Sequence, residues 1–234
     1  MSICLDLWWF TMVNNIRVGV LASGAGTDLQ SIIDASEQKM IDATVVTVIS
    51  DNKNAFALQR AKNHNIPNVF VNANGKTKEE FDKTIDDELN KQQVALVVGA
   101  GYMRILSDFF VEKWHGKLIN IHPALLPSFK GVNGQGDALS YGVKISGCTT
   151  HFIDREMDHG PIILQAAVPV KNNDSRDDLA IRILQAEHQI LPRTVQLFAQ
   201  NRLQIKGRKV IIKPGDSWKD IYPVFADVLY SEGY

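Results

Sequence analysis

The sequence predicts an α/β fold with an open, mostly parallel sheet and helices on both faces. Apolar, β-branched runs typical of strands buried on both faces occur at residues 16–22, 44–50 and 94–100. Segments with apolar residues at helical spacing lie between these runs, as in connected strand–helix–strand units. Such units cross over in the right-handed sense, which makes the strands parallel and packs the helices against the sheet.

The remaining elements follow from the same patterns. Further strands are predicted at residues 69–71, 118–122, 147–153 and 162–170, with a hairpin at 203–212 that turns at Gly207. Helices are predicted after residue 28 and at residues 55–64, 78–92, 134–141 and 174–200. No long helix separates the strands at 147–153 and 162–170, so these two should pair antiparallel. Pro192 should kink the last helix or divide it in two.

Composition narrows the class of protein. A chain of 234 residues with 45% hydrophobic and 22% charged residues can form one large globular α/β domain. The formal net charge of −1 gives no electrostatic reason to expect nucleic acid or an anionic membrane as a partner. The two cysteines, Cys4 and Cys148, are far apart and lack metal-ligand spacing. We therefore expect no metal site, and a reducing, cytoplasmic location.

Three regions are predicted: an N-terminal extension at residues 1–14, a main domain at 15–213 and a C-terminal tail at 214–234. The first ten residues are apolar but contain Asp6, lack a basic start and are too short to span a bilayer. Met12 lies just before the first strand and could be the true start. The tail, with Trp218, Tyr222 and Phe225, is amphipathic and predicts no chemistry.

A glycine-rich turn, SGAGTD at residues 23–28, connects the first strand to the first helix. This layout directs free backbone N–H groups at a bound anion. It is not the dinucleotide fingerprint, because Leu29 stands where the third glycine is expected. Either the turn binds phosphate, or it uses glycine only for its φ angles. Asp28 favours the second interpretation, because a carboxylate repels phosphate unless it faces away or binds the amine or hydroxyl groups of a substrate.

The strand at residues 118–122 carries two polar side chains. Asn120 and His122 are two residues apart, so both point to the same face near the strand's C-terminal end, where open α/β sheets bind ligands. Alternatively, His122 is a buried histidine satisfied by backbone groups. Asp158, in a carboxylate-rich loop, could face His122 or be an exposed turn residue. Residues 101–106, after the central strand, could contact a ligand or begin a helix.

Four motifs in order carry a resemblance to a known family. These are the glycine-rich turn, GYMRIL at 101–106, NIHPALLPSFKG at 120–131 and DREMDHGPIILQ at 154–165. Together they resemble the folate-dependent formyltransferases over residues 16–212, and AEHQILP at 186–192 is a fifth similarity. The resemblance implies a Rossmann-like formyltransferase fold. Its N-terminal half would bind glycinamide ribonucleotide and its C-terminal half 10-formyltetrahydrofolate, with direct formyl transfer in purine biosynthesis.

The resemblance also implies roles for individual residues. Asn120, His122 and Asp158 match the family's catalytic trio. The substrate phosphate is expected at Gly26, Thr27 and Asp28, with Glu187 near the ribose. The folate is expected at Lys78, Met103, Arg104, Ile105, Leu106, Asn120, Asp154, Met157 and Asp158. The expected partners are these small molecules, the expected assembly is a monomer or homodimer, and the Leu126–Pro127 peptide is expected to be cis.

These residue types suit formyl transfer. When a neutral amine attacks a formyl carbon, the carbonyl oxygen becomes an anion that the Asn120 amide and a protonated His122 would stabilise. A group that titrates near neutrality can move the proton from the amine to the leaving nitrogen, and Asp158 would orient the imidazolium. Thr27 and Asp28 stand where relatives usually have serine and asparagine.

Other departures from the family pattern concern the loops. Gln135 stands where relatives often have histidine, and His159 stands where a small residue is more frequent. Formyltetrahydrofolate hydrolase is the nearest alternative, although that relative carries an extra domain before the catalytic one. Methionyl-tRNA formyltransferase would need a basic C-terminal domain. A non-catalytic binding module would be expected to lack the trio.

Overall fold

The computed structural model describes residues 15–215, 225 and 227–234. Its strands are β1 Ile16–Leu21, β2 Ala43–Ser50, β3 Asn68–Phe70, β4 Leu96–Gly99, β5 Leu118–His122, β6 Ile145–Phe152, β7 Ile162–Pro169, β8 Leu203–Lys206, β9 Lys209–Ile212 and β10 Leu229–Tyr230. Its helices are α1 Thr27–Glu37, α2 Phe56–Asn63, α3 Lys78–Lys91, α4 Asp108–Lys113, α5 Gly134–Tyr141 and α6 Arg176–Ala199.

The strands form one open sheet in the order β3-β2-β1-β4-β5-β6-β7-β9-β8, with β10 paired to β7. From β3 to β5 all neighbours are parallel, whereas β6 is antiparallel to both β5 and β7. The predicted open α/β sheet and the predicted antiparallel pair are both confirmed. β5, which carries Asn120 and His122, is therefore the strand at which the sheet changes from parallel to antiparallel.

Helices cover both faces of the sheet. On one face, α1, α2 and α6 pack on side chains such as Val20 of β1. On the other, α3 and α4 pack on the alternate side chains, beginning with Leu21. Because successive side chains of a strand point to opposite faces, β1 is apolar on both sides and buried throughout its second half.

Local sequence signals determine where several helices begin. Thr77 and Glu80 form a reciprocal capping box at the start of α3, and Ser175 and Asp178 form another at the start of α6. Pro192 lies within α6, which continues through it as one helix of 24 residues. The predicted division at Pro192 is thus wrong, because residues on both sides of the proline are buried and packed in the core.

Part of the C-terminal region adds to the sheet. β10 pairs antiparallel with β7. The Tyr234 side chain is buried, donates to Gln189 Oε1 over 2.8 Å and stacks on Tyr230 at 4.0 Å between ring centroids. Residues 1–14, Trp218 and Tyr222 lie outside the described residues, so the three-region division stays a prediction. In the part of the chain that is described, none of the helices has the length and apolar character needed to cross a membrane.

Candidate active site

A cavity of about 320 Å³ opens beside β4, β5 and β6. Its walls include the segment 101–106 after β4, the β5 residues Asn120 and His122, and the loop 153–158 after β6. Asp28 of α1 and Glu187 of α6 also line it. Segments separated by more than 150 positions in the chain therefore meet around one space, as the resemblance requires.

His122 is buried and held by two contacts. Its Nε2 donates to the carbonyl oxygen of Phe129 over 2.8 Å, so Nε2 carries a hydrogen. Its Nδ1 lies 3.5 Å from Asp158 Oδ2. The same carboxylate oxygen accepts from the backbone N–H of Gly131 over 2.8 Å. The loop 129–131 thus holds both members of the pair and leaves Nδ1 as the nitrogen that faces the carboxylate.

Asp158 belongs to a compact loop between β6 and β7. Only 12% of its side chain is exposed, so the exposed-turn alternative is wrong. Its φ of 48° lies in the left-handed region, which is uncommon for a residue other than glycine. The loop closes through a bond from Phe152 N to the carbonyl oxygen of Pro161. Tertiary contacts therefore hold Asp158 in a conformation that its local sequence does not favour.

The sequence interpretation missed His151, which is buried on β6 directly opposite Asn120. Its Nδ1 donates to the Phe152 carbonyl oxygen over 2.9 Å, so Nε2 is free to accept from Asn120 Nδ2 at 3.3 Å. Burial lowers the pKa of His151 to about 4, which keeps the ring neutral and this acceptor available at neutral pH. The only sign of it in the sequence is a lone histidine in the strand pattern GCTTHF. That pattern does not show which residue of the neighbouring strand the histidine faces.

Two carboxyl groups, Asp28 of α1 and Glu187 of α6, line the cavity. Asp28 and Glu187 are both buried, although each lies on a helix. Burial raises the pKa of Asp28 to about 7 and that of Glu187 well above its usual value. Asp28 Oδ1 and His188 Nε2 lie 3.7 Å apart and make no hydrogen bonds among the described residues. Both atoms are buried, and His188 lies outside the cavity lining.

The glycine-rich turn at residues 23–28 requires glycine at position 26 for its backbone geometry. Gly26 caps α1 with a φ of 68°, and a Cβ there would lie 2.7 Å from Cβ of Ala57. Only glycine suits both conditions. Arg60 Nε donates to the carbonyl oxygen of Ala25 over 2.8 Å and so braces the turn. Of the three residues expected at the phosphate, Asp28 lines the cavity, whereas Gly26 and Thr27 do not.

The segment 101–106 lines the cavity without forming a helix, since α4 begins only at Asp108. Met103 and Ile105 are 62% and 64% exposed, whereas Leu106 is buried. The Arg104 guanidinium carbon lies 4.6 Å from the centroid of the Phe81 ring. Met157 and Asp154 also line the cavity. Lys78, the first residue of α3, does not line it.

The comparison with known families decides the assignment. Residues 16–195 match the family described as Formyl transferase. The chain belongs to the formyl transferase family. The predicted resemblance is therefore confirmed, and the Leu126–Pro127 peptide is cis as expected. Among the described residues of this formyl transferase, no group of three or more histidine, cysteine or acidic side chains could hold a metal ion.

Individual relatives share this similarity. The phosphoribosylglycinamide formyltransferase of Haemophilus influenzae is 41% identical over 191 residues, which cover 81% of this chain and 90% of that protein. The human trifunctional purine biosynthetic protein adenosine-3 is 45% identical over 190 residues, or 81% of this chain. The formyl transferase chain spans only 14% to 19% of the length of such trifunctional relatives.

Solved structures agree with the family assignment. Glycinamide ribonucleotide transformylase 1 from Symbiobacterium toebii superposes with a TM-score of 0.84 at 43% identity, covering 86% of this chain and 95% of that one. A formyltetrahydrofolate deformylase from Pseudomonas syringae has a TM-score of 0.80 at 28% identity, covering 86% of this chain and 66% of that one. The formyl transferase fold is thus shared by transferases and a deformylase.

Proposed function

We propose that this formyl transferase moves the formyl group of 10-formyltetrahydrofolate to the amine of glycinamide ribonucleotide, in de novo purine biosynthesis. The observation that carries the proposal is the meeting of Asn120, His122 and Asp158 in one cavity that also reaches Asp28 and Glu187. Such a cavity allows a formyl donor and an amine acceptor to bind together, so that transfer needs no covalent enzyme intermediate. The similarity to phosphoribosylglycinamide formyltransferases supports this choice of amine.

In the proposed reaction the neutral amine nitrogen attacks the formyl carbon, and the carbonyl oxygen becomes an oxyanion. One Asn120 N–H is bound to His151, which leaves the second N–H to donate to that oxygen. Collapse of the intermediate breaks the bond from the formyl carbon to the folate nitrogen. That nitrogen gains a proton and the amide nitrogen loses one. His122 Nδ1, facing Asp158, would carry the proton, because Nε2 is bound to Phe129.

We further propose where each substrate binds. The phosphate would contact backbone N–H groups of Gly26, Thr27 and Asp28, and Glu187 would bind the ribose hydroxyls. The raised pKa of Asp28 supports this, because a protonated carboxyl group does not repel phosphate. The folate would lie along Met103, Arg104, Ile105, Leu106, Asn120, Asp154, Met157 and Asp158. Lys78 is the weakest member of the predicted set, since it lies outside the cavity lining.

A formyl-transfer assay with purified protein tests the proposal. Deformylated folate should appear only when glycinamide ribonucleotide is present. His122→Ala should lower kcat by about a hundredfold or more, the usual contribution of a general acid–base group. His115→Ala is the matched control, because His115 is exposed and lies outside the cavity lining.

Deformylase activity is the second candidate, favoured by the structural likeness to a formyltetrahydrofolate deformylase. Folate release that is independent of the amine would establish this reaction in place of transfer. No release under either condition from the folded protein would overturn both. The proposed partners are the two small molecules alone, and a monomer or homodimer in the cytoplasm remains our prediction.

A further inference from the structure

The turn of the β8–β9 hairpin contacts the loop that carries Asp158. Arg208, at that turn, donates from Nη1 to the carbonyl oxygen of His159 over 2.5 Å. The same nitrogen lies 3.2 Å from each ring nitrogen of His159 and 4.0 Å from Asp154 Oδ2. His159 Nδ1 in turn donates to Asp154 Oδ2 over 2.8 Å. These three side chains form a closed set of contacts, which we call the hairpin clamp.

The hairpin clamp contacts the loop on both sides of Asp158 in the sequence. Asp154 precedes Asp158 by four positions and His159 follows it directly. Asp158 itself has a left-handed φ of 48°, a strained conformation that persists only where surrounding contacts maintain it. On the cavity side, one bond from Gly131 N reaches its carboxylate. Arg208, which lies outside the cavity lining, supplies a contact to the same loop from the hairpin.

The sheet fixes the position from which Arg208 reaches the loop. Lys209, the next residue, pairs with Ile162 at the start of β7. This pairing joins the hairpin to the sheet. β8 and β9 pair through four residue positions that do not involve the Arg208 side chain. Removing the Arg208 side chain therefore leaves the pairing between β8 and β9 in place. An effect on the loop can then be distinguished from an effect on the hairpin.

We propose that Arg208, acting with His159 and Asp154, is a positioning residue that holds Asp158 opposite His122. The inference rests on the proposed function, because it concerns the same catalytic pair. Arg208 and His159 lie outside the cavity lining and do not contact substrate, whereas Asp154 lines the cavity. The clamp limits the motion of the loop backbone, and through it the distance between the Asp158 carboxylate and His122 Nδ1, which is 3.5 Å.

The test compares Arg208→Ala with Arg208→Lys and with Lys206→Ala. Lys206 is an exposed cation on the same hairpin and is the matched control. Arg208→Ala should lower kcat by about tenfold to a hundredfold, the scale of effect that slight misplacement of a catalytic group produces. The KM for the amine should stay unchanged, because the clamp is on the loop proposed to bind folate. Arg208→Lys should recover part of kcat, and Lys206→Ala should match the parent protein.

Amide hydrogen exchange provides a readout that does not depend on activity. In Arg208→Ala, exchange should accelerate at residues 153–160 but not in β8 and β9. His159→Ala should have a smaller effect, since its backbone carbonyl still accepts from Arg208. Unchanged exchange and unchanged kcat in Arg208→Ala would overturn the clamp. If the parent protein shows no amine-dependent transfer, the proposed function fails, while faster loop exchange in the variant would still establish that Arg208 holds the loop.

Discussion

The side-chain amide of Asn120 is oriented by the neutral imidazole of His151, whose Nε2 lies 3.3 Å from Asn120 Nδ2. On the opposite side, Oδ1 of Asn120 lies so close to Gly99 that a Cβ on this glycine would approach it to 2.8 Å. The amide therefore has one orientation that satisfies its neighbours. A hydrogen-bond donor held in advance stabilises an oxyanion better than one that must rotate into place.

Replacing His151 with leucine should release this amide. We expect kcat to fall by about tenfold to a hundredfold, because Asn120 loses the acceptor that directs its second N–H into the cavity. Both KM values should change little. Steady-state kinetics on His151→Leu, with His115→Leu as an exposed-site control, would measure this. A folded His151→Leu variant with the parent kcat would mean that His151 does not orient Asn120 for catalysis.

Asp158→Asn changes charge while leaving the size of the side chain almost unchanged. An oxygen can still accept from Gly131 N, but the negative charge 3.5 Å from His122 Nδ1 is lost. Asp158 then no longer supplies the negative charge that stabilises His122 while it carries the transferred proton, so kcat should fall by about a hundredfold. Rapid-quench single-turnover kinetics should locate the loss in the chemical step. An unchanged single-turnover rate would remove Asp158 from the proposed proton transfer.

Asp28 should make stability depend on pH. Its pKa rises from 3.8 in an exposed carboxyl group to about 7 in the fold, so the folded state keeps a proton that the unfolded chain releases. Stability should therefore decrease as pH rises between these two values. Asp28→Asn removes this titration. From pH 5 to pH 8 the variant should lose less free energy of unfolding than the parent, by on the order of 2 kcal/mol.

Urea unfolding at the two pH values would measure the Asp28 effect. Asp87→Asn is the control, because Asp87 is an exposed aspartate on α3. If Asp28→Asn and the parent lose equal stability between pH 5 and pH 8, Asp28 does not hold a proton in the folded state.

Phe81 connects the core to the rim of the cavity. Its ring is buried on α3 and lies under the Arg104 guanidinium. Phe81→Leu should cost about 1–2 kcal/mol of stability through lost packing. It should also raise the KM for the formyl donor, because Arg104 loses a cation–π contact. Thermal unfolding and initial rates would be compared with Ile85→Val, a buried change on the same helix. Equal donor KM values in the two variants would contradict the Arg104 contribution.

Local patterns were sufficient for most elements of the fold. Apolar runs located the strands of the parallel half, and the absence of a long helix between residues 153 and 162 predicted the antiparallel β6–β7 pair. The helix predicted at residues 174–200 corresponds to α6, whose N-cap is Ser175. These features depend on near neighbours in the chain, whose spacing the sequence shows directly.

The features that sequence reasoning missed depend on register and on distant packing. His151 lies opposite Asn120 because of the β5–β6 register across 31 positions. Glu187 is buried because α6 is covered on more than one side over much of its length. Helical periodicity predicts burial only for an amphipathic helix that leaves one face exposed to solvent. Arg208 reaches His159 from a hairpin 49 residues away. Lys78, at the start of α3, likewise lies outside the cavity lining, which depends on how α3 packs against the rest of the fold.

Cys148 has a consequence for how the fold can be observed. Its thiol is fully buried on β6, opposite Ala166 of β7, and burial raises its pKa well above the usual value. A thiol reagent can therefore reach it only when these strands part. With Cys4 replaced by serine, Cys148 is the one remaining thiol of the chain. The rate of its chemical labelling would then measure how often the sheet beneath the cavity opens spontaneously. Slower labelling on adding either substrate would report binding without any turnover.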